Sequence, residues 1–380
     1  MLRVRQIIKS VIKSVIVVGF IFSIVITLIH IAHALTLDRI IEYREISFRS
    51  PRWPESLDGY QIAFITDIHT ITDEALAGVV NDLNERQIDM LLLGGDFSMH
   101  SGRYRQSIAI LSQAQATEGI FGVEGNHDNY MRLFSAMEHY GITPLSNNGL
   151  HIRDGFYLAG LEDLWNRNPC ILTATAEANE NYFILLLTHN PDVTMQQSTA
   201  DIDLILSGHT HGGHITFFGI WAPWFTIRNS ITDYGQQFAS GWSQSRDGVP
   251  IYVSKGTGTY YSIPRVFARP QVILLTMVND QDVKLSTYMP FWSSGGGIAS
   301  LFLLFWNIAI LGVYGIDKHK ARKNKWRISE PTLITCAFMM GGVGALLGMY
   351  VFRHKTQHTK FRLLIPLAVA VNIGIVFAVM

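Results

Sequence analysis

The sequence predicts an α/β domain in the middle of the chain with membrane helices on both sides. Between residues 36 and 290, short apolar runs alternate with stretches whose apolar residues recur at helical spacing, the pattern of a layered α/β domain. Long uncharged apolar windows lie before and after this region. Hydrophobic residues make up 48% of the 380 residues, enough for a sizeable core and several membrane segments.

The apolar runs of the middle region are short, which favours buried strands over helices. The predicted strands are QIAFIT (61–66), MLLLGG (90–95), GIFGVEG (119–125), FYLAGL (156–161), YFILLLT (182–188), DLILSG (203–208) and a run near 272–275. Two amphipathic stretches between them predict helices, at 73–87 and 104–116.

Four windows approach the roughly 20 apolar residues that a membrane-spanning helix needs. They are residues 15–34, 298–316, 332–352 and 363–380, and none carries a charge. We interpret the first as an uncleaved anchor, although a cleavable signal peptide is an alternative. The predicted organisation is an N-terminal anchor (1–35), a central α/β domain (36–290) and a membrane domain with about three spans (291–380).

Basic residues near the apolar windows predict the orientation in a bacterial inner (cell) membrane. Four basic residues within 1–14 and six within 318–327 would both face the cytoplasm, so that 36–290 faces the periplasm or the exterior. Four more at 353–362 conflict with three simple C-terminal spans. Glycines within 332–352 would allow either tight packing of a crossing helix, which we favour, or a segment that turns back.

Charge and cysteine content exclude several classes of protein. Residues 15–316 carry 16 basic against 28 acidic side chains, whereas a nucleic-acid-binding domain needs a basic face. The two cysteines, Cys170 and Cys336, form neither a disulfide framework nor a cysteine zinc site.

Polar side chains follow five of the predicted strands. They are Asp67, His69, Asp96, Asn126, His127, Asp128, His189, Asn190, His209 and His211. Open α/β sheets bind ligands at the carboxyl ends of their strands, so these carboxylates, imidazoles and amides are expected to converge. Glycines around His209 and His211 would let the backbone turn sharply and approach the site.

These motifs resemble the calcineurin-like metallophosphoesterase superfamily. DIH (67–69), GDF (95–97), GNHD (125–128), THN (188–190) and GHTHGG (208–213) occur in that family's order. The resemblance covers roughly 56–280 and extends to AGLEDL (159–164) and VSKGTGTYYSIPRVFARPQ (253–271), as in a membrane-associated bacterial branch. It implies a double-sheet αββα sandwich and phosphoester hydrolysis at two divalent metal ions.

The resemblance also implies a role for each residue. Asp67, His69 and His211 would hold the first metal; Asn126, His189 and His209 would hold the second, and Asp96 would bridge them. A shared water would lose a proton and attack phosphorus in line. His127 would protonate the leaving oxygen, with Asp128 orienting its ring. The nitrogen and oxygen ligands suit Mn, Fe or Zn. We expect His214 at the rim or behind the ligands.

The C-terminal residues, roughly 300–372, resemble a small bacterial membrane family of unknown function through FWNIAILGVYGIDKHKARKNKWRISE and GGVGALLGMYVFRHKTQHTKFR. The sequence therefore predicts a membrane-tethered phosphoesterase. Expected partners are membrane lipids and a phosphorylated small-molecule or lipid substrate, such as a cell-envelope phosphodiester. Alternatives are a scaffold or sensor with an inactive phosphatase domain, a nuclease of the same superfamily, and a transport role for the C-terminal spans. The sequence leaves the oligomeric state open.

Overall fold

The structure is a computed structural model that describes residues 27–99, 103–227, 231–259, 264–283, 288, 295–323 and 326–379. The chain divides into two compact units, one of them Ile29–Pro290, while the other includes Phe291–Met380. Residues 15–26 of the first apolar window lie outside the described residues. The remainder of that window belongs to a short apolar helix, α1 (Thr27–Thr36).

Two six-stranded sheets form the first unit. The first sheet has the order β1-β12-β2-β3-β4-β5 and the second the order β10-β11-β9-β8-β7-β6. The strands are β1 (Glu42–Ser50), β2 (Gln61–Ile65), β3 (Met90–Leu93), β4 (Ile120–Gly122), β5 (Thr143–Pro144), β6 (Asn148–Arg153), β7 (Phe156–Gly160), β8 (Phe183–Thr188), β9 (Leu204–Ser207), β10 (Gly241–Gln244), β11 (Pro250–Val253) and β12 (Gln271–Asn279). The predicted αββα double sheet is thus present.

Parallel pairing sets where the strands end. β2, β3, β4 and β5 run parallel in the first sheet, and β7, β8, β9 and β11 run parallel in the second. β12 pairs antiparallel with β2, whereas β6 and β10 pair antiparallel with the strands beside them. The loops after the parallel strands of each sheet therefore leave from one edge of that sheet.

Three layers of apolar side chains hold this unit together. The inner faces of the two sheets meet in a core that includes Phe64, Leu92, Leu185 and Leu206. The outer face of the first sheet is covered by α2 (Asp73–Arg86), α3 (Tyr104–Leu111) and α4 (Tyr130–His139). The outer face of the second sheet is covered by α5 (Ile171–Ala174) and α6 (Val193–Gln196). A further short helix, α7 (Trp224–Ile227), lies between β9 and β10. Each fully buried large apolar side chain contributes roughly 1.5–3 kcal/mol.

Helix α2 shows how the local sequence produces these layers. The Thr72 hydroxyl accepts a hydrogen bond from the Ala75 N–H and caps the first turn. Buried Leu76, Val80 and Leu83 lie on one face at helical spacing. The helix ends at Gln87, which adopts a left-handed conformation.

The second unit contains α8 (Gly295–Arg322), α9 (Glu330–Cys336), α10 (Gly342–Val351) and α11 (Thr359–Val379), with a distorted turn, Ala337–Gly341, between α9 and α10. The windows 298–316 and 363–380 fall on α8 and α11. Among the described residues, Glu330–Val351 qualifies as a membrane span by its length and composition. Its two halves, however, run in opposite directions.

Contacts with α8 show this reversal. The Tyr314 hydroxyl donates to the Leu333 carbonyl, and the Trp306 indole donates to the Met339 carbonyl at 2.6 Å, so α9 runs antiparallel to α8. The turn follows at Met339 and Met340, whose backbone angles are not helical. In α10, Gly344 then packs on Asn307 and Gly348 on Tyr314, so α10 runs parallel to α8.

The reversal leaves polar backbone groups that Asn307 satisfies. Its side-chain amide donates to the Met340 carbonyl and its oxygen accepts from the Gly344 N–H, both at 2.8 Å. Non-helical backbone that is shielded from water requires such partners within the protein. Gly344 packs on the Asn307 backbone with no room for a Cβ, so the small residues do serve close packing.

The chain thus returns to the end of α8 from which it left. The His354 ring contacts the Asp317 carboxylate at 2.7 Å, and the Lys355 ammonium contacts Glu330 at 2.5 Å. The expectation that 332–352 crosses as one tightly packed helix therefore differs from the structure, because the segment is a helical hairpin. The basic residues of 318–323 and 353–362 therefore lie at the same end of this unit.

Candidate metal centre

All seven predicted metal ligands lie where parallel strands end. They follow β2 (Asp67, His69), β3 (Asp96), β4 (Asn126), β8 (His189) and β9 (His209, His211). Six of the seven are almost fully buried, while Asn126 is partly exposed. The structure therefore brings together residues that are up to 144 positions apart in the sequence.

The backbone is strained at these strand ends. Asp67, His69, Asp96, His209 and His211 all have positive φ, between 40° and 70°. This region is costly for residues with a side chain and tends to occur at functional sites. At each of these positions the backbone therefore leaves the extended conformation of the preceding strand.

Glycine at position 208 allows two of these turns to meet. A Cβ there would collide with the Thr66 side chain and lie 2.5 Å from the Asp67 carboxylate. The same carboxylate accepts the His209 N–H at 3.1 Å, so the loops after β2 and β9 are in direct contact.

We expect Gly208→Ala to lower the stability of the chain by about 1–3 kcal/mol, the range for overpacking, and to weaken metal binding. Gly78→Ala is the matched control, because Gly78 is exposed in α2 with open space around it and ordinary helical φ. That change should stabilise by about 0.4–1 kcal/mol. Thermal unfolding with and without added Mn²⁺ measures both effects, and equal stability of the two variants would contradict the prediction.

The first group of ligands is compact. Atoms of Asp67, His69 and His211 lie within 4.8 Å of one another. The Nε2 atoms of His69 and His211 are 3.0 Å apart, and the His211 Nε2 lies 3.5 Å from the Asp67 carboxylate. Two imidazole nitrogens and a carboxylate oxygen facing one point suit a divalent transition metal.

Asp96 stands between this group and the next. Its Oδ2 lies 3.3 Å from the His69 Nε2 and 3.3 Å from the His189 Nε2. Its Oδ1 accepts the His127 backbone N–H at 2.8 Å, which fixes the carboxylate plane. One oxygen shared by two histidines of different groups is the arrangement expected of a bridging ligand.

The second group is oriented by backbone carbonyls. The His189 Nδ1 lies 2.7 Å from the Gly94 carbonyl, and the His209 Nε2 lies 2.8 Å from the Ile231 carbonyl. Because a carbonyl only accepts, each contact places a ring proton on the nitrogen that faces the carbonyl. The lone pair of the second ring nitrogen then faces the site. Those inward nitrogens are 3.1 and 2.9 Å from the Asn126 oxygen. This donor set fits a metal ion.

Electrostatics also favour cation binding. Burial lowers the pKa of His69 to about 4, and burial together with the charge of His189 lowers the pKa of His209 to about 3, so both rings stay neutral as ligands must be. Burial alone would raise the pKa of Asp96, but His189 and His69 hold it well below its usual range. Against its own burial, His189 has a raised pKa because Asp96 draws positive charge to this position.

Arg265 holds His211 in a different way. Its fully buried guanidinium donates to the His211 carbonyl at 3.3 Å and to the Lys255 carbonyl at 2.7 Å, and it lies 3.1 Å from the His211 Nδ1. Burial first, and then the neighbouring histidines and Arg265, keep the pKa of His211 well below its ordinary value. The His214 ring stacks on His211 with centroids 4.8 Å apart, so it lies behind a ligand as expected.

The turn after β7 supports the second group and was not assigned from the sequence. The Asp163 carboxylate accepts the N–H groups of Trp165 and Asn166 at 3.0 and 2.9 Å. This places the Trp165 ring edge-on to His209 at 4.5 Å and the Asn166 amide 2.6 Å from the Asn126 carbonyl. The AGLEDL motif contains Asp163 and was the available signal.

His127 and Asp128 occupy different environments. His127 is exposed at the site, with its ring centroid 5.4 Å from that of His69. The Asp128 carboxylate accepts the N–H groups of Asp96, Phe97 and Gly125 at 2.7–3.0 Å and so ties the β3 and β4 loops together. The orienting role predicted for Asp128 stays a prediction. Burial, followed by the charge of Asp96, raises its pKa.

The fold and the site are those expected of a metal-dependent phosphoric ester hydrolase domain. Residues 60–213 match the family described as "Calcineurin-like phosphoesterase". The chain therefore carries a calcineurin-like metallophosphoesterase domain, as the motifs predicted. Residues 307–361 match a second family, "Protein of unknown function (DUF1294)".

Similar proteins agree with both matches. The domain is 29% identical over 238 residues to an "Uncharacterized metallophosphoesterase" of Helicobacter pylori, covering 59% of this chain and 61% of that one. It is 28% identical over 242 residues to "Phosphodiesterase YaeI" of Escherichia coli, covering 58% and 82% of the two chains. The C-terminal region is 43% identical over 75 residues to "Uncharacterized protein YsdA" of Bacillus subtilis, covering 20% and 84%.

Proposed function

We propose that this protein is a membrane-tethered binuclear phosphoesterase that hydrolyses a phosphodiester of a lipid or cell-envelope molecule. The observation that carries the hydrolase part is the single Asp96 oxygen at 3.3 Å from one histidine of each group. A bridging carboxylate suits two divalent ions, either Mn, Fe or Zn. When bound, such a pair supplies an activated water and neutralises charge on the phosphoryl oxygens.

The residues of the chain then have separate tasks. Asp67, His69 and His211 hold one ion, Asn126, His189 and His209 hold the other, and Asp96 holds both. Carbonyls and Arg265 keep the histidine rings oriented before the substrate arrives. The exposed ring of His127 can reach a leaving oxygen and donate a proton to it.

Two observations support a diester at a membrane. The name of the Escherichia coli relative specifies a phosphodiesterase. The apolar window that leads into α1 and the apolar helices of the second unit support tethering. Basic loops on one side of those helices support a multi-pass location with the catalytic domain on the opposite side of a bacterial inner membrane.

The test uses the full-length protein in detergent with bis(p-nitrophenyl) phosphate and p-nitrophenyl phosphate. Mn²⁺, Fe²⁺ and Zn²⁺ are added separately after chelation, and bound metal is counted by mass spectrometry. We expect two ions per chain and faster turnover of the diester. A chain that binds no metal and hydrolyses neither ester would contradict the proposal and favour a scaffold role.

His127→Ala is expected to slow hydrolysis of alkyl phosphodiesters by about 10²–10⁴-fold, the contribution of a general acid, because an alkoxide needs a proton to leave. Hydrolysis of p-nitrophenyl esters should change far less, since p-nitrophenolate leaves unprotonated. His151→Ala is the matched control because His151 is an exposed histidine of β6. An equal loss with both leaving groups would show that His127 does not act as the acid.

A further inference from the structure

An exposed aromatic surface begins directly beside the metal centre. His214 stacks on the ligand His211, and the next residue, Ile215, is exposed. The thirteen residues ITFFGIWAPWFTI (215–227) contain five aromatic side chains and no charge. We call the exposed members of this surface, together with two exposed apolar residues of α1, the aromatic rim: Ile31, Leu35, Ile215, Phe218, Trp221 and Trp224.

The rim is held in place by hydrogen bonds. The Phe217 N–H donates to the Trp221 carbonyl at 2.7 Å and closes a tight loop. Phe218 at its tip has φ of 53°, a costly conformation for an aromatic residue. Ala222, between the two exposed tryptophans, is buried and pairs both its N–H and its carbonyl with the Gln236 side chain. The exposed aromatics are therefore presented by a fixed backbone.

Helix α1 belongs to the same surface. The His30 ring contacts the rings of Phe218 and Phe267 at 4.9 Å each, and the His33 ring contacts Phe267 at 4.3 Å. The His33 Nδ1 also accepts the Phe267 N–H at 3.2 Å. The opposite face of α1 is apolar and exposed, with Leu35 at 78% exposure. α1 also continues the uncharged window that begins at residue 15 of the sequence.

We propose that the aromatic rim inserts into the lipid–water interface of the membrane that holds the N-terminal window. Tryptophan concentrates at this depth, where its apolar ring and its polar N–H are both accommodated. Phenylalanine and leucine accompany it on the buried face of interfacial segments. Residues 215–227 carry no charge and lie beside α1, which continues the N-terminal window. The membrane that holds this window is therefore the nearest apolar environment for the rim. Resting on the proposed function, this places lipid headgroup phosphoesters at the metal centre.

The experiment measures insertion without using catalysis. Trp221→Cys and, separately, Trp224→Cys are made in the full-length protein with Cys170→Ser and Cys336→Ser, labelled with an environment-sensitive fluorophore and reconstituted into phosphatidylglycerol–phosphatidylethanolamine vesicles. Lipids with a spin label near the head or near the end of the acyl chain act as quenchers. Leu172→Cys is the control, an apolar residue at 80% exposure on α5.

At positions 221 and 224 we expect blue-shifted emission and stronger quenching by the label near the head, since interfacial segments insert about 5–10 Å. The control should stay aqueous. Emission at both rim positions equal to that of the control would overturn the proposal. Protection from water without quenching by either lipid would also overturn it, by indicating a second copy of the chain on the rim.

A second readout separates this inference from the proposed function. In the double variant Trp221→Gln, Trp224→Gln, we expect hydrolysis of vesicle phospholipid to fall about tenfold, while hydrolysis of soluble bis(p-nitrophenyl) phosphate stays unchanged. Insertion without hydrolysis of any ester would contradict the proposed function but support rim docking. Hydrolysis of the soluble ester by a protein whose rim stays in water would support the proposed function but contradict rim docking.

Discussion

Asp96→Asn is expected to abolish hydrolysis and to reduce bound metal from two ions per chain to one or none. Its Oδ2 is the atom that faces a histidine of each group, at 3.3 Å on both sides. The amide of asparagine carries no charge and offers one oxygen, so it would serve one group at best. We expect turnover to fall by about 10³-fold or more, at the upper end of the effects of removing an electrostatic partner.

Loss of folding would produce the same loss of activity, so stability is measured alongside. Asp96 is buried and its charge is compensated by neighbouring histidines, so its neutral isostere should fold without added metal. Asp154→Asn is the matched control, because Asp154 is exposed before β7, at the edge opposite the strand ends that carry the ligands. If the Asp96→Asn variant folds, binds two ions and hydrolyses the ester at the normal rate, Asp96 is not the bridging ligand.

The metal ligands could be predicted because each lies within a few residues of the end of a strand, so that a short stretch of sequence contains both the strand and its ligand. Each of the five motifs follows an apolar run that the chain buries, and parallel strands deliver their ends to one edge. The supporting contacts could not be predicted in this way. Gly94 and Ile231 act through their carbonyls, which any residue carries, and only the fold shows which carbonyl meets which imidazole.

Side chains that act from a distance in sequence were also missed. Arg265 contacts His211 across 54 positions, and an arginine in a motif does not reveal whether it is exposed or buried. The predicted helix 104–116 ends instead at Leu111. After that point the Asn84 side chain binds the Gln113 carbonyl and the Gln115 N–H, so a tertiary contact replaces helical bonds.

The helical hairpin between residues 330 and 351 is the largest departure from the sequence prediction. Hydropathy measures length and composition and contains no information on direction, so a hairpin and a span look alike. α10 has 10 residues, about 15 Å, which reaches only halfway through a hydrocarbon core of about 30 Å. The distribution of basic residues carried the missing signal, because 353–362 conflicted with a crossing.

Single cysteines at Lys323 and Lys360, in a background of Cys170→Ser and Cys336→Ser, are expected to react with a membrane-impermeant maleimide from the same side of the membrane. The two positions flank the hairpin, and the ion pair between Lys355 and Glu330 holds the two loops at one end of the unit. In intact spheroplasts both should be protected, and in inverted vesicles both should be labelled completely.

A cysteine at Leu172, exposed in the catalytic domain, is the reference for the opposite side and should label only in spheroplasts. If 330–351 crossed the membrane as one helix, positions 323 and 360 would instead react from opposite sides of the membrane. That result would contradict the hairpin. Shared labelling would also remove the conflict in the charge rule, since the ten basic residues after position 316 would then face one compartment. α8 and α11 would remain as the crossing helices of this unit, joined by a hairpin that enters and leaves on the basic side.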